Sequence, residues 1–196
     1  MYEKVNITEN HLRVLALFTK GYRREYYIRE VERLLGISPR TAQLILDDLE
    51  KKTILESATR GKIKPYKIKK NGAAFDYLVL TEQYRKLAFL KSNPLAREII
   101  AKITPHISGI AIVFGSYAKG SQKKGSDLDV FIVGTYNKNE IKKISETYGI
   151  EISIKCYPRN IFVKILNDDI LVREILDNHI AFLNAEEFVK LVLKNG

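Results

Sequence analysis

With 196 residues, 45% of them hydrophobic, and a formal net charge of +10, the chain can bury one large core or two small ones. Its longest apolar runs, such as residues 110–114, are far short of the roughly 20 residues a membrane helix requires, and the N-terminus has no apolar signal core, so a soluble, cytoplasmic protein with no membrane partner is expected. The single cysteine, Cys156, excludes an internal disulfide, and His11, His106 and His179 lie too far apart for a local zinc motif.

In chain order, residues 8–20 carry Leu12, Leu15, Ala16 and Phe18 near helical spacing, and Gly21 ends that run. A second helix begins near Tyr27, keeps Ile28, Val31, Leu34 and Leu35 on one face, and stops at Gly36. Ser38 as N-cap and Pro39 at the first helical position open a third helix, which runs to about Lys51. Residues 54–58 and 63–68 read as strands around Thr59-Arg60-Gly61-Lys62, a candidate hairpin wing. A helical pattern over 73–90 is broken by Ser92-Asn93-Pro94. Beyond it the expected order is a helix over 95–103, strands over 110–114 and 128–133, a helix over 139–148, a strand over 150–156, and helical segments up to Leu193. The expected domains are 1–72, a linking helix 73–93, and 94–196.

Positive charge is concentrated early, with +7 of the net +10 in residues 1–75. Such a bias favours a polyanion partner, because neutralising phosphates releases condensed counterions.

The stretch from Ile112 to Val133 carries the chemistry. Gly115-Ser116 ends an apolar strand, where a residue without a side chain lets the backbone approach a phosphate, and a hydroxyl with free N–H groups can bind its oxygens. Asp127 and Asp129, two apart on the next strand, send both carboxylates from one face while Leu128, Val130 and Ile132 enter the core. Two such carboxylates can grip magnesium or manganese, since hard cations prefer carboxylate and phosphate oxygens. Gly115 and Gly120 have the separation of a Walker A motif, but Ser121-Gln122 stands where that motif needs Lys and then Ser or Thr. A P-loop ATPase is therefore not expected.

Gly115-Ser116, ten residues, then Asp127-Leu128-Asp129 resembles the DNA polymerase β-like nucleotidyltransferase superfamily, particularly its minimal members. Gly115-Ser116-Tyr117-Ala118-Lys119-Gly120 is similar to the family's Gly-Ser-x-Ala-Arg-Gly, with Lys119 in place of arginine. The resemblance implies an α+β or α/β domain with a mixed sheet. It further implies an NTP substrate, with ATP the expected donor, a triphosphate site formed by Gly115, Ser116, Lys119 and Ser126, and magnesium held by Asp127 and Asp129. A third carboxylate on a later strand is also implied. Glu151 is the candidate, as metal ligand and catalytic group, with Ser153 on the same face as the alternative occupant. Antitoxins that modify a toxin protein occur among the minimal relatives, so an AMP-transferring antitoxin with a toxin-like partner is one concrete version.

Residues 28–49 with the hairpin after them resemble a winged helix-turn-helix, over about residues 8–72. That resemblance implies double-stranded DNA as partner: Arg40, Thr41 and Gln43 at the start of the recognition helix toward base edges, and Arg60, Lys62 and Lys64 on the wing toward phosphates. Asp47, Asp48 and Glu50 at the far end of that helix would repel phosphates if they faced them. A homodimer would suit paired half-sites. The competing expectation is a transcriptional regulator whose nucleotidyltransferase-like domain senses a nucleotide or is inactive.

Overall fold

The computed structural model describes residues 5–59, Gly61 and 63–195. The chain divides into two compact units, residues 1–81 and 82–196, and the division falls inside a long helix.

In the first unit, α1 (Glu9–Phe18), α2 (Ile28–Leu35) and α3 (Pro39–Lys51) precede a short antiparallel pair, β1 (Leu55–Ser57) and β2 (Tyr66–Ile68). An isolated bridge joins Tyr26 to Tyr66, so the backbone before α2 pairs with the wing. The α2–α3 turn follows the sequence expectation. Gly36 ends α2 in the left-handed region at φ 64, and the Ser38 hydroxyl accepts the Thr41 N–H at 3.0 Å with Pro39 in the first turn. Val14, Leu15, Phe18, Val31, Leu46, Leu49 and Tyr66 are buried together as core residues of this unit. The second wing strand is shorter than expected, since pairing covers only Tyr66–Ile68.

The helix α4 (Gly72–Ser92) crosses the division between the units, and α5 (Pro94–Ile103) follows it. In the second unit, β3 (Ile107–Val113), β4 (Leu128–Tyr136), β5 (Ile152–Tyr157) and β6 (Ile180–Leu183) form one sheet in the order β5-β4-β3-β6. β4 and β5 are parallel while β3 runs antiparallel to both β4 and β6, which makes the sheet mixed, as expected. Helices α6 (Gly115–Lys119), α7 (Lys138–Tyr148), α8 (Arg159–Ile165), α9 (Ile170–Asp177) and α10 (Ala185–Asn195) complete the unit.

One face of the sheet packs Ala111, Val113, Leu128, Val130 and Ile132 against Ala96, Ile99, Ile100, Ile103 and Ile141 of α5 and α7. The opposite face buries Phe131 against Phe162 of α8, their ring centroids 5.7 Å apart. A sheet covered on both faces explains the nearly continuous apolar runs in β3 and β4.

Two elements differ from the sequence reading. Residues 180–183, expected within helical segments, form β6, whose Ile180 pairs with Val113. Gly115-Ser116, expected as a turn, opens the short helix α6, which Gly120 ends in the left-handed region. None of the described helices is long and apolar enough to cross a membrane.

Candidate functional site

The Asp pair stands at the entrance of β4. Asp127 is exposed just before the strand, and Asp129 is its partly buried second residue. Leu128, Val130 and Ile132 are fully buried, so the alternation turns Asp129 to the face that carries Phe131. Parallel pairing with β5 sets Ser153 beside Asp129.

Gly115 brings the other half of the motif against this carboxylate. Its φ is 68, and a Cβ built on it would lie 2.1 Å from Asp129 Oδ2. Only glycine allows so close an approach in that conformation. Phe114 N–H donates to the Asp129 carbonyl oxygen at 3.1 Å, which locks the end of β3 to the start of β4. The start of α6 and the Asp pair are therefore one structural piece, and the first-turn N–H groups of α6 have no partner within the helix.

Charge around Asp129 is uneven. Burial pushes its carboxyl above the ordinary carboxylate range, the negative charges of Asp127 and Glu174 push it the same way, and Lys119 opposes them. Carboxylates that raise one another's pKa in this way are the oxygen donors a hard divalent cation prefers.

Lys119, at the end of α6, places its Nζ 2.7 Å from Glu174 Oε1 on α9. Ser126 closes the connecting loop: its Oγ accepts the Lys123 N–H at 2.8 Å, and its own N–H donates to the Lys123 carbonyl at 3.0 Å. Glu151 is exposed in the residue before β5, and its carbonyl accepts the Leu128 N–H at 2.8 Å. Among the described residues no three His, Cys, Asp or Glu side chains gather closely enough to hold a metal ion together. Glu151 precedes the paired register by one residue, and within that register Ser153 stands opposite Asp129. Arg159 follows the far end of β5, away from the Asp pair, and pairs with Glu187.

Glu174 is the charged residue near the site that the sequence reading missed. No local signal marks it; it reaches Lys119 only because β6, the strand after α9, pairs with β3.

In the first unit, Arg40 is exposed on the first turn of α3, Gln43 is half-buried, and the Thr41 hydroxyl lies 2.8 Å from the Ser38 hydroxyl within the N-cap. Arg60 and Lys62 lie outside the described residues. Lys64 does not present its ammonium to solvent alone. It pairs with Glu50 at 2.7 Å and Asp47 at 3.4 Å and lies 4.7 Å over the Tyr66 ring. Tyr66 also donates its hydroxyl to Asp47 at 2.7 Å. At this end of α3 Lys64 thus bridges Asp47 and Glu50, while Asp48 pairs with Lys52 and lies 3.2 Å from His11 Nε2.

Residues 95–190 match the family model described as Nucleotidyltransferase domain. That span includes β3, Gly115-Ser116, Asp127, Asp129 and Glu174 of the second unit. Comparison with curated proteins finds no match. Among solved structures the chain is similar to one titled "Structure of TrmBL2, an archaeal chromatin protein, shows a novel mode of DNA binding", with 13% identity and a TM-score of 0.30 over 86% of this chain and 70% of that one. So distant a likeness carries no argument about function.

Proposed function

We propose that the second unit transfers a nucleoside monophosphate from an NTP, with ATP the expected donor, to an acceptor hydroxyl. One observation supports the reading: the Gly115 backbone packs directly on Asp129, bringing Gly115-Ser116 and the Asp pair together within a segment matched by the nucleotidyltransferase model. Asp127 and Asp129 would hold magnesium, which supplies charge neutralisation for the attacking and leaving oxygens. Gly115 and Ser116 orient the triphosphate through their backbone and hydroxyl, with Ser126 shaping the loop that faces it and Lys119 opposing its negative charge. The acceptor oxygen forms a bond to the α-phosphorus, the bond to the bridging oxygen of the β-phosphate breaks, and pyrophosphate departs. The hydroxyl proton goes to solvent or to a nearby carboxylate, for which Glu151 at the β5 edge is the candidate.

The first unit supports DNA binding, with Arg40 and Gln43 of α3 toward base edges. The charge bias favours it, and Lys64 and Lys52 offset part of the negative charge of Asp47, Asp48 and Glu50. An AMP-transferring antitoxin acting on a toxin-like partner, working as a homodimer on paired half-sites, is the most specific form of this proposal.

A nucleotide-sensing regulator is the second reading, favoured by Ser153 rather than a carboxylate standing opposite Asp129. Magnesium-dependent pyrophosphate release from the four NTPs, measured with Asp127→Asn/Asp129→Asn as control, separates the two. The enzyme releases pyrophosphate and the variant does not; the regulator binds NTP and releases none.

A further inference from the structure

The Lys119–Glu174 pair occupies a particular place. Lys119 closes α6, which follows β3, and Glu174 lies on α9, which leads into β6. In the order β5-β4-β3-β6 both belong to the β3 and β6 side of the Asp pair, the side where Gly115 and Ser116 stand, whereas Glu151 and Ser153 belong to β5. The ammonium that the motif assigns to the triphosphate is thus already held by a carboxylate oxygen 2.7 Å away. A carboxylate oxygen at that distance takes the position an anionic phosphate oxygen would take. Both side chains are about half exposed, at 40% and 52%, so the pair is weak enough to be broken by a triphosphate. Glu174 also adds negative charge felt at Asp129.

We infer that Glu174 sets the site's affinity for triphosphates by competing with the NTP for Lys119. The inference rests on the nucleotidyltransferase reading above. In the empty site Glu174 holds Lys119; a bound triphosphate takes Lys119 over and leaves Glu174 to solvent; departing pyrophosphate returns Lys119 to Glu174. Glu174 is accordingly a specificity-determining residue. It favours anions charged strongly enough to displace it, and it has no direct part in bond making.

The test is equilibrium binding of the magnesium complex of α,β-methylene ATP, which is not turned over at the α-phosphorus, to the full chain and to Glu174→Gln, Lys119→Met and the double variant. Removing the competitor is expected to tighten binding roughly two- to fivefold, the range of an exposed ion pair, and the gain should vanish in the Lys119→Met background. Binding of AMP, which has no β- and γ-phosphates, should change little. Wild-type binding that Glu174→Gln leaves unchanged or weakens, or a gain that persists without Lys119, would overturn the inference and leave the triphosphate site standing. No binding by any of the four proteins would overturn the triphosphate reading and this inference with it.

Discussion

Gly115 is the residue on which the site's geometry turns most sharply. An alanine there would require a strained backbone at φ 68 and would drive its Cβ into Asp129 Oδ2. On the proposed function, displacing the Asp129 carboxylate by about 1 Å costs on the order of a hundredfold in rate, so Gly115→Ala is expected to lower transfer by at least that factor while circular dichroism stays native. His11 offers a pH prediction at the same scale. The Thr8 N–H donates to its Nδ1 at 3.3 Å and its Nε2 lies 3.2 Å from Asp48 Oδ2, which places the proton on Nε2 in a neutral ring. Burial holds its pKa below the ordinary 6.5, against an opposing pull from Asp48. A depressed folded pKa means that the unfolded chain takes up the proton first. Stability from this residue is therefore present above 6.5 and lost as pH falls through the lower, folded value. His11→Asn should reduce the drop in urea midpoint between about pH 7.5 and pH 5. An equal drop in both proteins would contradict this.

Elements whose cause is local were legible in the sequence, and those whose cause is distant were not. The α2–α3 turn is written in Gly36, Ser38 and Pro39, each with a conformational reason to stand there. By contrast, β6 holds only four residues, and nothing in Ile180-Ala181-Phe182-Leu183 distinguishes a buried strand from a buried helical turn. What makes it a strand is pairing with β3, far earlier in the chain. The same distance hid the fully buried group at its start. His179 Nε2 lies 2.9 Å from Glu82 Oε1 across 97 positions of sequence, and Arg85 donates to both Glu82 carboxylate oxygens at 3.0 and 3.1 Å. Glu82 and His179 have no exposed surface, so removing the Glu82 carboxylate takes the anion from a buried charged cluster. Glu82→Ala is expected to cost about 3–5 kcal/mol in chemical unfolding. The wing gives a milder case. Lys64 ties it to Asp47 and Glu50 of α3, and Glu50 holds its charge more firmly because Lys64 and Ser57 bond to it, against the cost of its burial. Lys64→Met should destabilise by about 1 kcal/mol, since these groups are partly in solvent.

At the scale of the whole molecule the chain divides into two compact units, one built on three helices and a short antiparallel pair, the other on a mixed sheet matched over residues 95–190 by the nucleotidyltransferase model. The Gly-Ser and Asp-x-Asp motif was legible because its chemistry is carried by adjacent strands joined by one loop. Glu174 was not, because long-range pairing brings it to Lys119. Separate cores predict separable activities: Asp127→Asn/Asp129→Asn should leave duplex DNA affinity unchanged in a fluorescence titration, and Arg40→Ala should leave transfer unchanged. The central claim, transfer of a nucleotide by the Asp127 and Asp129 site, is tested most directly by incubating the protein with magnesium, cell extract and each α-phosphate-labelled NTP. The account predicts that label moves onto a discrete acceptor with the wild-type protein and not with Asp127→Asn/Asp129→Asn. Equal labelling by both proteins, or none by either while NTP binding persists, would contradict it.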